Sequence, residues 1–165
     1  MEITFRRSEN QMSVHQQVMN GMTEMAAAFA AGGLQLQLPP ASNQAIGTEY
    51  IQIELGKSLS AKIPFDARFT NPLKMYQGGF LCAALDEVFG PLSYIAAGKP
   101  VVTVELSTTF IRPFTAADEY VVIKAEIVAL TKSLVIMCAE VKSKEGKLIA
   151  TSKSHSLIKA DSPKT

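Results

Sequence analysis

The sequence predicts an α+β domain in which an antiparallel β-sheet wraps a long central α-helix. Three observations carry this expectation. One long apolar segment, residues 79–97, is stopped by Gly98-Lys99-Pro100, four extended segments follow it without another helix, and the connectors between them are short. A helix apolar on nearly every side has to be surrounded, and short links favour antiparallel neighbours.

Taken in order, residues 13–31 read as a first helix, because Val14, Val18, Met22, Met25, Ala26 and Phe29 recur near the 3.6-residue period. Ser13 suits the N-cap and Gly32-Gly33 the stop. Residues 38–42 (Leu-Pro-Pro-Ala-Ser) read as loop. Residues 49–55 then alternate, Tyr50, Gln52 and Glu54 against Ile51, Ile53 and Leu55. Gly56-Lys57 reads as a two-residue turn into a second alternating run, 58–64, so the pair is expected to form a β-hairpin. After the central helix, strands are expected over 101–112, 119–130, 134–143 and 147–159, all rich in Val, Ile and Thr. The layout is therefore an N-terminal helix and loop (1–47), the main domain (48–160) and a polar, frayed tail (161–165).

Composition narrows the function classes. The 165 residues suit one domain, and 47% of them are apolar, which places the chain among globular proteins. A net charge of +1 from 16 basic and 15 acidic residues lacks the basic stripe expected of a nucleic-acid partner. No stretch reaches the roughly 20 uninterrupted apolar residues of a membrane span. Arg6 and Arg7 with the apolar run 25–33 imitate a leader, but Glu24 and other polar residues intervene, so the cytoplasm is the expected location. Cys82 and Cys138 are expected as reduced, buried thiols. With His15 and His155 they show no metal-ligand spacing, and neither a metal nor a cofactor is expected.

The third strand carries an unusual pattern. Val102, Val104, Leu106 and Phe110 form one apolar face, while Thr103, Glu105, Ser107 and Thr109 form the other. The second face suits an edge open to water as well as contact with a second subunit or a polar ligand.

Chemistry concentrates between Asn71 and Gly90. Gly78-Gly79 opens the apolar helix, and the first N–H groups of a helix lack intrahelical partners and attract a negatively charged oxygen. Glycines there let a carbonyl approach the backbone. Asp86 and Glu87 are the two carboxylates of the helix, and Asp86 lies about 12 Å beyond the glycines at 1.5 Å per residue. The two acids point about 100° apart, so one pocket takes only one of them. Cys82 and Gly90, one turn to either side of Asp86, leave a groove beside it. Asp86 and Glu87 as a solvated stripe and Asp86 as a working acid stand side by side at this point.

The string Asn71, Gly78-Gly79, Asp86, followed by Val102-Thr103-Val104-Glu105-Leu106 through Phe110 and Pro113, resembles the PaaI-type hotdog-fold acyl-CoA thioesterases. The likeness spans residues 48–159. It implies a hotdog fold and hydrolysis of an acyl-CoA thioester. By position it implies Asp86 as general base or nucleophile and the Gly78 N–H as the group polarising the carbonyl. Asn71 would orient the substrate or residue 77, and Thr103 would hold the attacking water. It further implies a homodimer or homotetramer, with Asp86 supplied across the dimer from the Gly-Gly segment.

One departure stands out: Gln77 occupies the position of the family's histidine. Glutamine donates and accepts hydrogen bonds but carries no proton, although some hotdog thioesterases have glutamine near this place. Burial among Leu85, Val88 and Phe89 is expected to raise the Asp86 pKa towards neutrality. Phe69, Met75, Tyr76 and Phe89 are candidate acyl-pocket residues. The alternative to hydrolysis is a non-catalytic acyl-CoA or small-acyl binding protein. A dehydratase ranks lower, since neither histidine lies near the helix start.

Overall fold

The computed structural model describes residues 12–159. Arg6, Arg7 and the tail expected to fray lie outside these residues. The chain runs through α1 (Val14–Ala31), α2 (Ala41–Ile46), β1 (Glu49–Glu54), β2 (Ser58–Pro64), α3 (Gly78–Ala97), β3 (Val101–Phe110), β4 (Tyr120–Leu130), β5 (Leu134–Ser143) and β6 (Leu148–Ile158). The six strands form one antiparallel sheet in the order β1-β2-β4-β5-β6-β3, with α3 packed on one face. The fold class is the one expected.

Local chemistry sets the boundaries. Ser13 and Gln16 close a capping box over the start of α1, each side chain accepting the other's backbone N–H at 3.2 Å. Gly98 ends α3 at φ 61°, in the left-handed region, and donates its N–H to the Tyr94 carbonyl. α3 buries Leu81, Ala84, Leu85, Val88, Phe89 and Leu92 against inward residues of the sheet such as Leu59, Ile63, Ile123 and Met137. Val18 and Met22 of α1 join the same core. By length and composition α3 would also cross a membrane, but here it is the core helix of the domain.

Five expectations about the fold need correction. Residues 41–42 begin the short helix α2 and are not loop; Gly47 at φ 74° closes it. The β1–β2 turn has three residues, Leu55 being in it and 76% exposed. Pairing is irregular between Tyr50 and Gln52, so Tyr50 is buried while Ile51 is exposed. A bulge reverses alternation in this way because one residue is left unpaired.

The same thing happens on β3, where the register shifts between Thr103 and Glu105. Thr103 pairs with Ser156 and Leu106 with Ser154, both on the helix side, and Val104 is left over at 57% exposure. Val102, Val104 and Phe110 are therefore not a buried apolar face; each is about half exposed on an edge strand. Nor is α3 enclosed on all sides in the single chain. Gly79, Phe80, Ala83 and Asp86 form an exposed strip along it.

Candidate active site

A rigid loop delivers the chain to the start of α3. The Asn71 carboxamide oxygen accepts the N–H groups of Leu73 (2.9 Å) and Met75 (3.1 Å), and Asn71 N–H donates to the Met75 carbonyl. Lys74 takes a left-handed φ of 59° inside this turn. Tyr76 N–H then donates to the Phe114 carbonyl and Gln77 N–H to that of Phe69. Asn71 thus closes the turn that leads to residue 77.

Gln77 is the N-cap of α3, its carboxamide oxygen accepting the Phe80 N–H at 3.1 Å. The N–H groups of Gly78 and Gly79 have no hydrogen-bond partner among the described residues. Both glycines sit in crowded places: a Cβ on Gly78 would be 3.0 Å from the Phe110 ring, and one on Gly79 2.9 Å from the Gln77 oxygen, so either neighbour would have to shift. Beside them lies a hollow of about 390 Å³ bounded by Asn71, Met75, Tyr76, Phe110 and Arg112. Arg112 carried no signal of its own in the sequence, and Phe110 figured there only in the pattern of the third strand. Of the expected acyl-pocket residues, Met75 and Tyr76 line this hollow, Phe69 packs on Phe80 with ring centroids 4.5 Å apart, and Phe89 does not contribute, being wholly buried in the core.

Two turns further along, Asp86 stands on the open strip of α3. The Thr103 hydroxyl donates to its Oδ1 at 3.0 Å, so the strand residue before the bulge anchors the helix carboxylate. The expected burial among Leu85, Val88 and Phe89 is not found. Those three are at 0% exposure in the core, whereas Asp86 lies on the exposed strip of the helix. The Gly78 amide and Asp86 remain about 12 Å apart along one helix.

The helix behind Asp86 is shaped by Pro91. Proline cannot donate to the carbonyl of residue i−4, which here is that of Glu87. The Tyr50 hydroxyl fills the gap at 2.9 Å and itself accepts the Asn43 carboxamide N–H at 3.0 Å. Burial, reinforced by the Glu87 carboxylate, pushes the Tyr50 phenol well above its ordinary pKa. The His15 ring stacks on Tyr50, and its Nδ1 accepts the Tyr50 N–H at 3.2 Å. His155 pairs with Glu105 at 2.7 Å across β6 and β3. Neither histidine reaches the start of α3. Cys82 and Cys138 are free thiols, and no group of three potential metal ligands occurs among the described residues.

Residues 77–150, from the N-cap of α3 into β6, match the thioesterase superfamily. Among solved structures, the chain superposes on the PaaI protein of the Escherichia coli phenylacetic acid degradation operon with a TM-score of 0.70 at 17% identity, covering 88% of this chain and 98% of that one. A putative thioesterase of Ralstonia eutropha, described as a phenylacetic acid degradation-related protein, gives 0.65 at 25% identity, with coverage of 79% and 98%. AziG of S. sahachiroi gives 0.69 at 23%, with coverage of 74% and 98%. No curated protein matches. The chain thus has a hotdog fold like that of PaaI, and its residues 77–150 match the thioesterase superfamily.

Proposed function

We propose that the protein hydrolyses an acyl-CoA or related thioester, with Asp86 as the base and the Gly78 N–H as the oxyanion donor. The observation that carries this is the Thr103–Asp86 hydrogen bond on the open strip of an otherwise apolar helix. Asp86 takes a proton from water, and the hydroxide adds to the thioester carbonyl carbon. The Gly78 N–H, at the positive end of the helix dipole, stabilises the resulting oxyanion. Collapse breaks the C–S bond, giving the acid and a thiolate, which receives the proton from Asp86. Direct attack by Asp86 would instead give a mixed anhydride, recognised by transfer of ¹⁸O from labelled water into Asp86 during turnover.

Base and oxyanion donor are too far apart to act together within one chain. The reading therefore includes a homodimer, or a tetramer built from it, in which Asp86 of one copy faces the Gly78 amide of another. The exposed apolar edge formed by Val102, Val104 and Phe110 is suited to such contact. Strictly monomeric sedimentation would exclude this arrangement. A cytoplasmic setting belongs to the same proposal.

The experiment is a panel of acyl-CoAs incubated with the protein and a thiol-reactive dye. Thiol release with turnover supports hydrolysis. Saturable binding without thiol release would favour the acyl-CoA binding alternative, to which Gln77 lends weight because a capping glutamine cannot move a proton.

A further inference from the structure

Beside Asp86 lies a second hollow, of about 210 Å³, that the steps above do not use. Its walls are Met22 of α1, Leu36 and Leu38 of the segment after it, and Pro91 and Tyr94 of α3. Apart from Asp86 and Glu87 on one side, the surroundings are mostly apolar. The N-terminal segment thus does more than pad the core; it roofs a space that opens at the candidate base.

Gly90 lines the same hollow, one helical turn beyond Asp86. Glycine inside a helix is disfavoured relative to alanine, although before Pro91 it relieves the clash of a Cβ with the proline ring. Its φ is not positive, and apart from its chain neighbours an added Cβ would meet nothing within 4 Å. This contrasts with Gly78 and Gly79, where a Cβ would be crowded at 3.0 and 2.9 Å. What a side chain at 90 would occupy is open space bordering the hollow.

We propose that this hollow is the acyl subsite and that Gly90 sets its depth, selecting thioesters of compact acyl groups. The assignment rests on the hydrolase reading above, because it places the acyl group beside Asp86. An apolar cavity of roughly 150 Å³ is enough for a benzene-sized guest. The observed volume therefore suits a six- to eight-carbon unit better than a long fatty chain. Leu38 is another of its walls, so trimming it enlarges the subsite.

The test uses the full chain with saturated acyl-CoAs from two to sixteen carbons, following thiol release for wild type, Gly90→Leu, Gly90→Ala and Leu38→Ala. Calorimetry with S-hexyl-CoA, a thioether that cannot be hydrolysed, reads binding alone. Wild type should be most efficient at six to eight carbons. Gly90→Leu should lower the ratio of hexanoyl to acetyl kcat/KM at least tenfold, since one misplaced methylene in an apolar pocket changes selectivity by about 10- to 200-fold. Gly90→Ala should act in the same direction, with Tm measured on the same samples, and Leu38→Ala should move the optimum to longer chains. If Gly90→Ala and a folded Gly90→Leu keep the wild-type ratio, the subsite assignment fails while hydrolysis stands. Loss of the dimer in Gly90→Leu with the ratio intact would give the hollow to a second copy and also overturn it. If no acyl-CoA is hydrolysed yet S-hexyl-CoA binds and Gly90→Leu weakens that binding tenfold, the subsite stands and the hydrolase reading fails.

Discussion

Replacing Asp86 with asparagine separates chemistry from structure more cleanly than any other change in the chain. The substitution is nearly isosteric, and the asparagine oxygen still accepts the Thr103 hydroxyl, now 3.0 Å from Oδ1. What changes is that one charged hydrogen bond becomes neutral, a difference of about 1 kcal/mol. Asp86 is exposed in the single chain, whereas Leu85, Val88 and Phe89 are buried in the core, so no packing is disturbed. For a chain of this length the corresponding Tm change is about 2–4 °C. Loss of a general base, by contrast, lowers turnover by about 10²- to 10⁴-fold. Wild type and variant would be compared by thiol release at saturating acyl-CoA, with Tm measured on the same samples. A variant with wild-type kcat would refute the role of Asp86, and one that loses ten degrees or more would refute the structural argument.

Three further outcomes follow from the same geometry. Thr103→Val should lower kcat by about tenfold, equivalent to about 1.4 kcal/mol in the barrier, while Thr103→Ser keeps the donor and most of the rate; equal effects of the two would remove the hydroxyl from the scheme. Tyr50→Phe leaves the Glu87 carbonyl and the Asn43 carboxamide without partners, so Tm should fall by several degrees for a loss of about 1–3 kcal/mol. Adding Pro91→Ala, which supplies an N–H to Glu87, should recover part of that loss in a double-mutant cycle. Tyr76, buried with its hydroxyl unpartnered, has its pKa pushed from 10 to about 12 by burial and by Asp66. A folded pKa above the unfolded one means stability is complete below pH 10 and declines as pH rises through about 12. Tyr76→Phe should therefore match or exceed wild-type Tm at pH 7 and lose less of it on titration above pH 10.

How much of this was legible in the sequence depended on the length of the pattern. α1 and α3 span enough turns for a 3.6-residue period and a cap to show, and β2 and β5 match their expected limits. Six-residue α2 is too short for any period to declare itself. Bulges are invisible for a different reason: a single unpaired residue at Ile51 or Val104 leaves composition untouched but moves every later side chain to the other face. Asp86 and Gly78-Gly79 could be singled out by residue type, yet the Thr103–Asp86 contact joins residues 17 apart and had no signal, the likeness having given Thr103 only the attacking water. The hollow at Gly90 was legible only in part: Gly90 marked a groove beside Asp86, but the other walls come from α1 and the segment before α2.

Gln77 is where the chain departs from its family, and the structure bears on how much that costs. Its oxygen holds the Phe80 N–H, leaving the N–H groups of Gly78 and Gly79 unpartnered at the helix end. Polarisation of a carbonyl there needs backbone dipoles, which a neutral side chain does not weaken. Acid assistance to the leaving group is the other task a histidine performs, and its importance depends on the bond being broken. A thiol with a pKa of about 8.5 departs as thiolate without help near neutral pH, whereas an alkoxide does not. A glutamine at this position is therefore compatible with thioester cleavage and poorly suited to oxygen esters. Under the proposed function, Gln77 narrows the chemistry of the site towards sulfur without removing the backbone donors that sulfur chemistry requires.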